Sequence, residues 1–352
     1  MSLAATMMQD IRTNGNIDKY EYRASRYGAL SLFQKQTNDI NGIISPEMEQ
    51  EFWGSVGRNF TTAVIDYENV SIKVGEPRSI TVGDSENTSK LVTITPTSLS
   101  FGFTMVPSLY LNNDIGYQKD FNIKMLKYLH AMATQLDNMC IAKLMTERTT
   151  KIGNTLGYDY ADGLLVSSNA KKSHIIGSLE AMMNSNDFYD TIDIVGDAGL
   201  QDLIAQLRQH GTYNDQNKQL EYAGKNLYYT NRLPLGQGKD GKPHFAKGIA
   251  VNAGSVGLLW RVDRESLVNR TTDISYKWTT GRLPMLDIPI GIMEYESVGD
   301  HSGIAGNASV DMTASYKQHY GFSVDVALVC AYNSLGTERA TPIIEFGIEA
   351  EA

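Results

Sequence analysis

Cysteine is nearly absent: 352 residues hold two, Cys140 and Cys330. That excludes a disulfide scaffold and a thiolate zinc or iron–sulfur site, each of which needs more thiols. Both cysteines lie in apolar or helical runs, where buried free thiols are expected. No apolar run approaches the roughly 18 residues that a membrane-crossing helix needs. The opening Met1-Ser2-Leu3-Ala4-Ala5-Thr6 lacks the basic stretch and apolar core of a secretory signal. The glycosylation triplets at Asn59, Asn69, Asn87, Asn269 and Asn307 therefore carry no weight. There is no basic excess either: 31 Lys and Arg against 40 Asp and Glu give a net charge of −9. That argues against a surface built to grip phosphates. Only 20% of residues are charged and 42% are apolar, enough for a substantial core and too apolar for a disordered chain. A soluble, acidic protein made inside a cell is the expectation.

Catalytic signatures are missing as well. The chain has no Gly-x-Ser-x-Gly, Walker loop or His-Glu-x-x-His. Its six histidines, His130, His174, His210, His244, His301 and His319, are scattered, with no pair at helical spacing. Gly236-Gln237-Gly238-Lys239-Asp240-Gly241 fits Gly-x-Gly-x-x-Gly, but Pro234 precedes it and Pro243 follows. A dinucleotide fingerprint needs a helix opening there, so the expected reading is a loop between two strands. Asp187, Asp190, Asp193 and Asp197 cluster in sequence and read as a solvated rim or a helix cap. No catalytic, cofactor-binding or metal-ligating residue is expected.

What is present is a distinctive order of elements. Residues 1–44 are polar and irregular, and read as an extended arm with short helical pieces such as Tyr20 to Phe33. The arm carries Tyr20, Tyr22, Tyr27, Leu30, Leu32 and Phe33, so it wants a surface to lie on. Ser45-Pro46-Glu47 opens a helix with a capping hydroxyl, a proline at the first position and acids at the positive end of the dipole; it carries Met48, Phe52 and Trp53 and ends near Gly57. A long two-stranded hairpin spans about 64–100. Val70, Ile72 and Val74 alternate with polar residues, Ile80-Thr81-Val82 is answered by Leu91-Val92-Thr93-Ile94-Thr95, and the turn Gly83–Ser89 holds no apolar residue. Such a ribbon is marginal alone.

Phe121, Met125, Leu129, Met132, Leu136, Met139 and Leu144 recur at three- and four-residue steps, which predicts a long core helix over 114–150, stopped by Gly153. Helices follow at Ser173 to Asn184 and at Leu200 to Leu207. Strands are expected at 190–197, 227–230, 249–251, 256–262, 274–278 and 288–295. The run Tyr320 to Tyr332 turns continuously apolar, as in a strand buried on both faces at the centre of a small sheet on the long helix.

This order resembles the major capsid protein of tailed bacteriophages of the Hong Kong 97 type. The likeness covers nearly the whole chain. Ile194 to Leu203, Leu227 to Pro234 and Val251 to Gly257 are similar to that family's axial domain, and Tyr320 to Tyr332 to its final peripheral-domain strand. The resemblance implies an α+β capsid fold. Its parts would be an N-terminal arm and short helix (1–60), an extended β-hairpin loop (61–106), a peripheral domain with the spine helix (107–189), an axial domain (190–309) and a return to the peripheral domain (310–352).

The implied function is a non-enzymatic shell subunit, assembling as pentamers and hexamers into an icosahedral shell around double-stranded DNA. It would reside in the virion and be made in the host cytoplasm. It would have no cofactor, no membrane and no sequence-specific DNA contact, and its further partners would be portal, scaffolding or decoration proteins. No charged coiled-coil extension precedes the arm, so scaffolding would fall to a separate protein. The family's type member makes a Lys–Asn cross-link. Lys73, Lys90 and Asn333 are the residues that could be compared, and no cross-link is expected. The competing readings are an encapsulin-type compartment shell, a phage tail structural protein and an α/β enzyme with an unrecognised site.

Overall fold

The longest element is built from the most regular pattern. Phe121, Met125, Leu129, Met132, Leu136, Cys140 and Leu144 are all buried and fall on one stripe of a single helix of 33 residues. At 1.5 Å per residue it runs about 50 Å. The structure is a computed structural model. It describes residues 3–14, 27–39, 42–55, 60–65, 89–110, 114–206, 211–214, 219–222, 225–234, 243–262, 277–284, 286–298, 316–331 and 340–350.

In chain order the first elements are α1 (Leu3–Asn14), α2 (Gly28–Thr37), α3 (Pro46–Gly54), β1 (Phe60–Ile65), β2 (Ser89–Ile94), β3 (Thr97–Met105) and the long helix α4 (Asp114–Thr146). Next come β4 (Asp159–Ala161), β5 (Leu164–Ser167), α5 (Ile175–Asn184), β6 (Ile192–Gly196), α6 (Ala198–Gln206), β7 (Gly211–Asn214), β8 (Gln219–Tyr222) and β9 (Lys225–Tyr229). The last are β10 (His244–Asn252), β11 (Val256–Arg261), β12 (Lys277–Arg282), β13 (Pro289–Val298), β14 (Tyr316–Cys330) and β15 (Ile343–Glu349). The fold is α+β.

A five-stranded antiparallel sheet lies along α4. Its centre is β14, which pairs with β3, β11 and β13, while β12 pairs with β13. The central strand expected from Tyr320 onward is therefore present, and it starts four residues earlier, at Tyr316. Phe101, Phe322 and Ile292 stand in register across three strands. Phe121 of α4 meets Phe103 at 5.2 Å and Tyr320 at 5.5 Å between ring centroids, both edge-on, the arrangement aromatic quadrupoles favour. On the sheet's other face Ala327, Val329, Leu259 and Ile94 form a small core under Phe52 of α3.

The second sheet has eight strands in the order β4-β5-β15-β10-β6-β9-β8-β7. β5 with β15 and β6 with β9 are parallel; the other pairs are antiparallel. It draws strands from 159–167, 192–252 and 343–349. One face packs under α5 and α6, with Leu179, Met182, Leu203, Ile194 and Phe346 in one core. Val195, Ile249, Val251 and Ile343 face the other way, into the core shared with α2 and α4.

Several expectations need correction. The described helices of the arm, α1 and α2, are not extended and pack into the subunit's own core. Ala4, Met7, Met8 and Ile11 of α1 and Ala29, Leu30, Leu32 and Phe33 of α2 all join the main core. The surface those apolar groups require is the chain's own. Leu91 to Ile94 pair with Phe60–Ala63, a partner the sequence reading did not assign. Alternation marks a strand without choosing its partner. Residues 70–74 and 80–82 lie outside the described residues. β3 and β15 were not anticipated.

The long helix stops at Thr146, short of 150. There the Thr149 amide donates to the Ile343 carbonyl at 2.7 Å, and the Thr341 hydroxyl donates to the Glu147 carbonyl at 2.8 Å. The chain is thereby drawn into the start of β15. The segment 279–282, expected as a connection, is itself part of β12.

Candidate functional site

Buried charge is the first place to look for chemistry. Asp137, fully buried on α4, accepts hydrogen bonds from the Leu30 amide at 3.0 Å, the Thr230 hydroxyl at 2.7 Å and the Arg232 guanidinium at 3.2 Å. Arg232 also lies 4.8 Å over the Tyr27 ring, whose hydroxyl meets His130 Nδ1 at 3.1 Å. This group fastens the start of α2 to α4 and to the end of β9. Gly28 belongs to the same fastening, because a Cβ there would run into the Tyr229 backbone.

Asp193 is not on a solvated rim. It is 2% exposed and takes Lys35 Nζ at 3.1 Å, Gln36 Nε2 at 3.1 Å and Asn226 Nδ2 at 2.8 Å. The helix α2 covers it, which the sequence alone does not reveal. Gln36 Oε1 further accepts from the Ser255 and Val256 amides, and Thr37 Oγ1 from the Leu258 amide. One helix is thus stitched to both sheets. Asp197 is a cap, as expected: its carboxylate accepts from the Leu200 and Lys247 amides.

Two further buried carboxylates join distant elements. Glu345 on β15 is paired with Lys247 of β10 at 2.6 Å and with Arg148 beyond α4. Asp325 on β14 pairs with Arg261 at 3.0 Å and accepts from Ser98 Oγ at 2.5 Å. Arg261 in turn donates to the Ser55 carbonyl and lies 4.9 Å over the Phe52 ring. Each carboxylate is in an ion pair and joins elements that are distant in sequence, although Glu345 Oε1 makes no hydrogen bond. That is the pattern of structural anchoring rather than of an open reactive pocket.

The nearest approach to a nucleophile and base is at His319. Its Nε2 meets Ser297 Oγ at 2.7 Å and its Nδ1 meets Thr104 Oγ1 at 2.9 Å, while Tyr295 stacks on the ring at 4.4 Å. A hydrolytic triad has a carboxylate in the third position to hold the imidazolium. Here a threonine hydroxyl takes that position, and burial together with Lys317 pushes the histidine's pKa below its ordinary value. The arrangement holds a neutral ring between two strands.

Burial pushes both thiols up, Cys330 to about 12 and Cys140 well above the usual range, so neither is a thiolate nucleophile at neutral pH. Among the described residues no group of three His, Cys, Asp or Glu could hold a metal ion, and no helix is long and apolar enough to cross a membrane. The glycine-rich segment 236–241 lies outside the described residues. It is flanked by β9 on one side and β10 on the other, with no helix opening at Pro243.

The surface offers more. β1 and β2 form a two-stranded sheet that no third strand joins among the described residues. Thr61 and Thr93 on it are exposed, and Ile94 at its root is buried. Trp53 stands beside that root on α3, 52% exposed, held by a bond from its indole N–H to the Trp260 carbonyl at 3.0 Å. Ile115 and Ile123 on the outer stripe of α4, and Tyr189 and Leu156 beyond α5 and α4, are further exposed apolar groups. Sequence reasoning found the ribbon and Trp53 but assigned the docking role to the arm as well. The spacing Ala4, Met7, Met8, Ile11 was the available signal that α1 is an amphipathic helix of the core.

No protein-family model and no curated protein matches the chain. Solved structures do. A structure from Mycobacterium phage Cain is 12% identical over 100% of this chain and 99% of that one, with a TM-score of 0.48. The capsid of Ralstonia phage GP4 is 9% identical over 84% of each chain, with a TM-score of 0.44. The capsid structure of the cyanophage P-SCSP1u is 12% identical over 84% of each chain, with a TM-score of 0.42.

Proposed function

We propose that this chain is a major capsid protein of the Hong Kong 97 type, a non-catalytic subunit that assembles with copies of itself into an icosahedral shell around double-stranded DNA. The observation that carries the reading is the β1–β2 ribbon, two strands that no third joins among the described residues, with Thr61 and Thr93 exposed and Ile94 buried at the root. A ribbon of that kind is marginal in water and gains from lying on a neighbour. Closed shells use such contacts, in which different patches of one subunit meet different patches of the next. The engaged state of the buried carboxylates supports the non-enzymatic part. The net charge of −9 suits a container that must not adhere to packed phosphate.

On this reading the five-stranded sheet with α4 is the peripheral-type unit and the eight-stranded sheet with α5 and α6 the axial-type unit. β4, β5 and β15 then belong to the axial-type sheet, while β3 belongs to the peripheral one. Pentamers and hexamers, a virion location and portal, scaffolding or decoration partners follow from the same proposal. The same proposal has neighbours that are not covalently linked; Lys73, Asn333 and the Lys90 side chain lie outside what the structure describes. Electron microscopy of the purified protein tests the reading. Closed icosahedral particles are expected; a protein that stays a monomer or small oligomer at high concentration would overturn it.

A further inference from the structure

His244 opens β10 at 4% exposure, and neither ring nitrogen has a hydrogen-bond partner among the described residues. A neutral imidazole carries one donor and one acceptor, so two polar atoms are buried unmet. The ring lies against Gly347 of β15, where a Cβ would come within 3.0 Å of it. Glycine at that position makes the room.

Charged groups surround the ring on every side. On β10 itself is Lys247, buried and paired with Glu345 at 2.6 Å. On β15 are Glu345, also engaged by Arg148 from beyond α4, and Glu349, the cross-strand partner of His244 in register. On the turn between β6 and α6 is Asp197, whose carboxylate is occupied by two amides. Among the described residues Glu349 alone of these carboxylates is in no ion pair and no cap. Just before His244, the Pro243 carbonyl holds the Ala350 amide at 3.0 Å, the last rung between the two strands.

We propose that His244 is a proton-operated latch on the end of the β10–β15 seam. Neutral, it sits on Gly347 and the strands close over it. Protonated, it must leave a site that already holds the Lys247 ammonium. It swings toward Glu349, releasing the rung between Pro243 and Ala350. Burial first, and Lys247 second, hold the folded-state pKa of His244 below its ordinary value. A histidine depressed in this way stabilises the fold above its unfolded value, about 6.5, and that contribution is lost as pH falls through the lower folded value.

The test is amide hydrogen exchange at residues 244–247 and 347–350, corrected for intrinsic rates, at pH 7.5 and pH 5. The wild-type chain is expected to lose tenfold or more protection there on acidification while residues 136–144 of α4 hold. His244→Phe is expected to keep equal protection at both pH values. Equal wild-type protection at both pH values, or the same acid loss in His244→Phe, would overturn the proposal. Should that variant not fold, a proton NMR titration of His244 in the wild-type chain decides: a folded value at or above about 6.5 contradicts the latch.

Discussion

The helix α2 and the β1–β2 ribbon are neighbours in sequence with opposite relations to the rest of the chain. α2 buries Leu30, Leu32 and Phe33 completely, and Gln36, Thr37 and Lys35 bond to both sheets. The ribbon pairs only with itself, apart from Ile94 at its root. The difference lies in what the side chains can reach. α2 brings apolar residues on one face and polar groups that meet specific backbone amides. The ribbon brings paired backbone and, at Thr61 and Thr93, exposed threonines.

The sharpest way to break this contrast is at Asp137. Asp137→Ala leaves the Leu30 amide, the Thr230 hydroxyl and the Arg232 guanidinium without their shared acceptor. Removing one partner of a buried charge pair costs about 3–5 kcal/mol. Denaturant unfolding should show the unfolding free energy lowered by that amount, read as a lower midpoint. If α2 also detaches from the core, the slope of the transition should change, because slope follows the surface exposed on unfolding.

A milder effect is expected at the foot of the ribbon. Ser45 accepts from the Met48 amide at 3.2 Å and caps α3, the helix that carries Phe52 over the root. Ser45→Ala should cost about 1 kcal/mol. Thermal melting checks it, and no change would mean that packing of Phe52 alone holds α3 in place.

The comparison also explains what could be read from the chain and what could not. Local signals were legible. Ser45-Pro46 marked the start of α3, the four-residue steps from Phe121 to Leu144 marked α4, and the apolar run after Tyr320 marked the central strand. Partners were not legible. Leu91–Ile94 announced a strand that pairs with Phe60–Ala63, and nothing in alternation selects that partner. Ile343, Ile344, Phe346 and Ile348 form a strand between β10 and β5, both far away in sequence. Asp193 read as solvated because the helix that covers it lies more than a hundred residues earlier. Apolar stripes were legible, since their spacing is local. The anchoring roles of Asp137 and Glu345 were not, since they exist only once distant elements meet.

The central claim is that the ribbon serves assembly and not folding. Phe60 and Ile94 are cross-strand partners, so residues 61–93 can be replaced by a short Gly-Ser turn between them without disturbing the root. The variant should stay soluble and melt cooperatively within a few degrees of the wild-type chain, the smallest stability change of the three. By electron microscopy it should form no closed particles under conditions where the wild-type chain does. A variant that still closes into complete shells, or one that fails to fold at all, would contradict the account.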